Sequence, residues 1–240
     1  MRALVTGAGA GIGKASATAL AERGVEVILC DIDAPAAEAV AADLAAQGHD
    51  VWPASLDVTD DAAVQKLVAG SGRVDALVHS AGLFPQLSFE AGSIAQLDRV
   101  MAVNFRAAVV LAKAVWPGMA ARGAGTMIFL TSGSGLPSAV EDPMQANFSF
   151  YGASKAALDR WALGVAREMS RHGVLVNTIT PGAFVDTPGV QALGLAEAAQ
   201  REAISVEAVG EAVAFLAAGC APELSGQRLR ATDYRRTWGA

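Results

Sequence analysis

The chain is poor in cysteine. Cys30 and Cys220 are the only two among 240 residues, and no CxxC spacing occurs, which excludes a disulfide framework and a cysteine-based zinc site. Each is expected as a buried, reduced thiol, and no metal site is indicated. Positive charge is also scarce. Eighteen Lys and Arg against 24 Asp and Glu leave a net charge of −6 with no basic run, which argues against nucleic acid as a partner. An anionic ligand must therefore be held by local backbone dipoles rather than by the overall field. Uninterrupted apolar runs stay below the roughly 18 residues of a membrane span, and no secretory leader precedes the first apolar segment. A soluble, cytoplasmic protein without a membrane partner is the expectation. No linker or internal repeat divides residues 1–240, so one domain is expected. What is plentiful is apolar surface: 52% hydrophobic residues suffice for a substantial core.

Arg2 to Gly13 reads RALVTGAGAGIG. Ala3-Leu4-Val5 is too compact for a helix and suits a buried strand, Gly7, Gly9, Gly11 and Gly13 alternate with small residues, and Lys14 to Arg23 has helical character up to Gly24. Strand, glycine turn and helix in that order make an anion site. Missing Cβ atoms let a pyrophosphate approach the backbone, and the unpaired N–H groups of the helix N-terminus receive it. A tight turn in any α/β protein could use the same residues. The GxGxxG pattern is not met, because Ile12 occupies its last glycine position.

Val25 to Cys30 reads as a second strand ending at Asp31. A carboxylate about twenty residues beyond the glycine loop can accept hydrogen bonds from an adenosine ribose. It would repel a 2′-phosphate by about 4 kcal/mol at ~4 Å and an effective dielectric of ~20, which favours NAD over NADP. Further strands are expected over Val51–Leu56, Asp75–His79, Thr126–Leu130, Val174–Thr180 and Gln227–Ala231, and helices over Ala34–Gln47, Ile94–Ala121 and Val206–Ala217. Thr59 or Asp60 can cap a further helix. The long helix is expected to break near Asn104, a poor helix former among apolar neighbours, and to contain or end at Pro117. This alternation predicts an α/β fold with a parallel sheet, with ligands at the strand ends.

Phe150 to Lys155 is the segment richest in chemistry. Tyr151 and Lys155, four residues apart, share a helix face. A phenol near pKa ~10 is a poor acid–base group at neutral pH, and a neighbouring ammonium favours phenolate and lowers that value. An isolated Tyr-x-x-x-Lys is more often a surface pair; here it follows a glycine loop, a strand-end acid and a strand-end serine.

Taken together, Thr6-Gly7-x-x-x-Gly11-Ile12-Gly13, Asp57-Val58, Ser80-Ala81-Gly82, Ser132, Tyr151-x-x-x-Lys155 and Pro181-Gly182 resemble the classical short-chain dehydrogenase/reductase family over nearly the whole chain. The resemblance implies a single Rossmann-like, doubly wound α/β domain of about seven parallel strands flanked by helices. It implies hydride transfer between NAD(H) and a small-molecule secondary alcohol or ketone. Tyr151 would be the acid–base group, Lys155 would lower its pKa and hold the nicotinamide ribose, Ser132 would bond the substrate oxygen, and Asn104 would kink its helix and support a proton relay. Gly7, Ala10, Gly11, Ile12 and Gly13 would cradle the pyrophosphate, with Asp31 and Ile32 at the ribose and Asp57 and Val58 at the adenine. Ser80, Ala81 and Gly82 would approach the cofactor closely, and Pro181, Gly182, Phe184 and Val185 would lie against the nicotinamide. The family also implies a homo-oligomer, tetramer or dimer, paired through helices near residues 99–121 and 151–171, with Trp116 and Trp161 available to that surface or to the core. An NADPH-dependent ketoreductase and a non-catalytic dinucleotide sensor are the alternatives; sensors commonly lose the Tyr or Lys present here.

The chain departs from the family pattern in several places. His79-Ser80-Ala81-Gly82 replaces NNAG, with His79 expected as a core residue at a strand end. The threonine after Pro181-Gly182 comes one residue late, the substrate loop at about 187–205 is short, and Ala231-Thr232-Asp233-Tyr234 replaces Asp-Gly-Gly. Tyr151 follows Ser132 by nineteen positions, a longer gap than usual, and Ser138 would fit the usual spacing. Ser132 is preferred because it ends a strand, with Ser134 second. The added residues within Gly135–Ser149 are expected to form a lid, with Phe84, Phe148 and Phe184 as the apolar wall of a substrate pocket.

Overall fold

The computed structural model describes residues 1–141, 145–192, 203–219 and 222–239. Seven strands form one parallel sheet in the order β3-β2-β1-β4-β5-β6-β7: β1 Arg2–Thr6, β2 Glu26–Asp31, β3 Val51–Ser55, β4 Ala76–His79, β5 Gly125–Leu130, β6 Val174–Thr180 and β7 Arg228–Arg230. The order reverses between β1 and β4, where Thr6 is level with His79. Ligands of open parallel sheets bind at such a reversal, outside the carboxyl ends of the strands.

Strand alternation sorts the core into two layers. Ala3 and Val5 with Val27 and Leu29 face α1 (Gly11–Ala21), α2 (Ala34–Ala46) and, downstream, the Val206–Ala217 helix. Leu4, Ile28, Leu77, Met127 and Phe129 face the other way, toward α3 (Asp61–Gly70), α5 (Ala107–Arg122) and α6 (Ser149–Ser170). Asp60, not Thr59, caps α3: its carboxylate accepts from the Ala62 and Ala63 N–H groups. Trp161 packs edge-on against Phe129 and Phe105 on the core side, and Trp116 meets His172.

The expected break at Asn104 is instead a change of helical winding. α4 (Ile94–Met101) runs into a π-helical turn at Ala102–Arg106 and then into α5, which carries Pro117 inside it. A π turn widens the helix without ending it, and here it delivers Asn104 into the interior. The Ile94–Arg122 stretch is long and apolar enough by composition to cross a membrane. In the fold, Leu111, Ala112, Val115 and Met119 pack one face of it against the sheet. Two further helices, α7 (Pro188–Ala192) and α8 (Val206–Ala217), flank residues 193–202, so most of the expected substrate loop lies outside the described residues. Cys30 is buried as a free thiol, pushed up to about 12 by that burial, and Cys220 lies outside the described residues.

Candidate active site

The strand ends open onto a cavity of about 1140 Å³. Its lining includes Gly7, Ala10, Gly11, Ile12, Gly13, Asp31, Ile32, Asp57, Val58, Ser80, Ala81, Gly82, Pro181, Gly182, Phe184 and Val185, together with Phe84, Ser132, Phe148, Tyr151 and Lys155. Asn104 stands behind this wall, fully buried. Ser138 lies in the short helical turn Pro137–Glu141 and is exposed, outside the lining.

At the β1 end, Gly7 and Gly11 have φ of 69° and 52°, and a Cβ on Gly13 would collide with the Gly7 carbonyl oxygen. Only glycines allow this close, left-handed path, and it leaves the first turn of α1 open toward the cavity. Beside it, the Asp31 carboxylate accepts from the Gly9 N–H at 2.8 Å and the Asp33 N–H at 3.0 Å. Asp57 accepts from the Thr59 hydroxyl and N–H at 2.7 and 2.8 Å, and these bonds hold its carboxyl below the usual range. A backbone cradle with acids at the ends of β2 and β3 fits the pyrophosphate and adenosine of a dinucleotide. The substitution of His for Asn at position 79 is accommodated: Nδ1 lies 2.9 Å from the Thr6 hydroxyl, which accepts from the Ala81 N–H at 3.3 Å. Burial, aided by the Lys155 charge, holds His79 down to about 3, so it is a neutral core residue at physiological pH.

At the other end, α6 presents Tyr151 and Lys155 one turn apart. The Lys155 ammonium donates to the Leu130 carbonyl at 2.8 Å and lies 5.8 Å from the centre of the Tyr151 ring. Burial pushes Lys155 down to about 8, opposed by Asp159 one turn further along. The sequence predicts that Lys155 lowers the Tyr151 pKa. In the structure burial raises the phenol, and the Ser132 hydroxyl opposes that rise. The hydrogen bond made by the Lys155 ammonium runs to the end of β5. Asn104 ties the site from behind. Its Oδ1 accepts from the Leu83 N–H at 2.7 Å, and its Nδ2 donates to the Leu83 carbonyl and the Ser154 hydroxyl, each at 2.9 Å. Ser154 in turn donates to the Tyr151 carbonyl at 2.7 Å.

Ser132, two residues beyond β5, caps a single turn at Gly133–Gly135, where its hydroxyl accepts from the Ser134 N–H at 3.2 Å. The described ends of the 135–149 segment turn toward the cavity: Leu136, Ala139, Gln145 and Phe148 line it, while residues 142–144 lie outside the described residues. Phe148 stacks on Phe84 at 4.7 Å and 7° between planes, and Phe84 meets Tyr151 edge-on at 4.6 Å. The Leu87 N–H donates to the Asn147 carbonyl at 2.6 Å and fastens the two loops together. Phe184 lines the cavity but is outside that aromatic stack among the described contacts.

Among the lining residues that escape the sequence reading are three arginines, Arg99, Arg228 and Arg230. Arg228 and Arg230, two apart on β7, reach the same cavity. Arg228 donates through Nε to Asp159 at 3.0 Å and through Nη2 to the Ser132 carbonyl at 2.9 Å. Arg230 donates to the Gly182 carbonyl at 3.1 Å. The signal was the Arg-Leu-Arg alternation in a short strand.

Residues 1–198 match the family model described as short chain dehydrogenase. The chain is 40% identical over 202 residues to a 2-keto-3-deoxy-L-fuconate dehydrogenase of Xanthomonas campestris pv. campestris, covering 80% of this chain and 62% of that protein. It is 34% identical to a cis-4-hydroxycyclohexanecarboxylate dehydrogenase of Sinomonas cyclohexanicum, covering 93% and 92%. Among solved structures, one described as an NAD(P) dependent gluconate 5-dehydrogenase from Beutenbergia cavernae, with NADP bound at low occupancy, superposes with a TM-score of 0.86 at 32% identity over 96% of this chain and 94% of that one.

Proposed function

The chain belongs to the short chain dehydrogenase family, an oxidoreductase family that uses a nicotinamide dinucleotide, and within it we propose an NAD(H)-dependent enzyme that interconverts a secondary alcohol and a ketone. The observation that carries this reading is the convergence of Ser132, Tyr151 and Lys155 on one wall of the cavity whose far end is the glycine cradle and Asp31. The bound cofactor would supply the hydride acceptor for oxidation and the hydride donor for reduction. In oxidation, Tyr151 as phenolate would take the alcohol proton, and Ser132 would donate a hydrogen bond to the same oxygen. Lys155 holds positive charge below the phenol and reaches toward the ribose. Phe84 and Phe148 keep water from one side of the reacting carbon. The assignment of Tyr151 as acid–base and of the other residues to these roles is part of the proposal.

NAD over NADP rests on Asp31, whose carboxylate stands at the end of β2 beside the cradle with no lysine or arginine in the loop or at Ile32-Asp33. In titrations, NADH is expected to bind more tightly than NADPH, and Asp31→Ala to narrow the gap by about tenfold, chiefly by admitting NADPH. Tighter NADPH binding by the unaltered protein overturns this assignment. Turnover is sought by NADH absorbance over a panel of secondary alcohols, ketones, sugars and steroids. A cytoplasmic homo-oligomer, paired through the α4–α5 and α6 faces, completes the reading, and a monomeric mass in light scattering at micromolar concentration contradicts that assembly.

A further inference from the structure

β7 closes one edge of the sheet, and the acids of the cavity stand toward the other. Asp31 and Asp57 follow β2 and β3, whereas Arg228 and Arg230 project from β7, on the side of Ser132 and Tyr151. Arg228 and Arg230 are level with Thr178 and Thr180 of β6 and share one strand face, and Leu229 between them is buried on the other. Among the described lining residues, every charge at this end is positive: Lys155, Arg228 and Arg230.

The two arginines are not equivalent. Arg228 is engaged on both edges, by Asp159 and by the Ser132 carbonyl, and so fixes the serine against α6. Arg230 is exposed, and one hydrogen bond, to the Gly182 carbonyl, holds its side chain beside the Pro181-Gly182 turn. Arg2, Arg23, Arg73, Arg106, Arg122, Arg228 and Arg235 each pair with a carboxylate. Of the three arginines that line the cavity, Arg99 and Arg230 pair with no carboxylate among the described residues, and Arg99 stands at the other end, near Asp57. A guanidinium anchored by one nitrogen keeps a second donor edge, whose fork matches a carboxylate in a bidentate pair.

We propose that the substrate is a hydroxy or oxo acid whose carboxylate is received by Arg230, with its hydrocarbon body against Phe84 and Phe148 and its reacting oxygen at Ser132 and Tyr151. This deepens the oxidoreductase reading above and rests on it for the position of the reacting oxygen. The arrangement gives the pocket three chemically distinct sides, so an acid would enter in one orientation while a neutral analogue of equal size would lose the anchor.

The test uses 3- and 4-oxocyclohexanecarboxylate and their carboxamides as probes, titrated calorimetrically into the NAD⁺ complex, where a ketone binds without turnover. The carboxylates are expected to bind at least about tenfold more tightly than the amides. At saturating NAD⁺, Arg230→Gln should abolish that difference while leaving carboxamide affinity unchanged, and Arg230→Lys should restore part of it. Equal binding of acid and amide, a preference that survives in Arg230→Gln, or failure of either acid to bind overturns the assignment. A protein that binds the acids through Arg230 but oxidises no alcohol with NAD⁺ leaves the anion site standing and overturns the oxidoreductase reading instead.

Discussion

The Asn104 carboxamide donates to the Ser154 hydroxyl across 2.9 Å, joining the π turn that precedes α5 to the helix that carries Tyr151 and Lys155. Ser154 passes the connection on to the Tyr151 carbonyl, and Asn104 also holds both backbone groups of Leu83. One buried amide thus ties the loop after β4 to the helix that carries Tyr151 and Lys155. Asn104→Ala is expected to cost about 1–3 kcal/mol in stability through unpaired groups and to lower kcat more than it raises KM. A double-mutant cycle with Ser154→Ala, read in urea denaturation and in kcat, should show coupling; additivity of the two would contradict the link.

Ser132 and Ser138 make opposite predictions. Ser132 faces the phenol from the end of β5, whereas Ser138 is exposed in the following turn. Ser132→Ala should lower kcat/KM by about 10²–10³ with NAD binding retained, and Ser138→Ala should leave both unchanged. The reverse pattern would place the added residues upstream of the catalytic serine and remove the basis for a lid at 135–149.

The lysine supplies a pH test. Lys155, held at about 8 by burial, is the group of the Tyr–Lys pair expected to lose the first proton, and Asp159 raises its value. Carbonyl reduction needs both protons present, so kcat/KM for a ketone should be level at low pH and fall as pH passes through the region near 8. Asp159→Asn removes the charge that retains the proton, so the falling limb should move to lower pH. An unmoved limb, or one shifted upward, would mean that Lys155 does not control it.

Much of this fold and cavity was legible locally. The glycine loop, the acid at position 31 and the Tyr-x-x-x-Lys spacing each concern residues within one strand–turn–helix unit, and alternation along the strands indicates which side chains enter the core. The direction of Lys155 was not legible, because its partner is a carbonyl 25 residues away on β5. The raised phenol follows from burial, which the fold supplies. Nor does the sequence announce a π turn: Asn104 marks the irregularity, but its partners Leu83 and Ser154 are brought near only by the fold. The β7 arginines reach the cavity through sheet order alone, with Arg228 lying 96 residues from the serine it bonds.

The central claim is that Tyr151 moves the proton at the substrate oxygen. The direct measurement is kcat/KM for NAD⁺-dependent oxidation of the best alcohol in the panel, compared between the unaltered protein and Tyr151→Phe at equal cofactor saturation. The account predicts a loss of at least about 10²–10⁴ with NAD⁺ affinity and thermal stability retained. Turnover of Tyr151→Phe within a few-fold of the unaltered protein would contradict it.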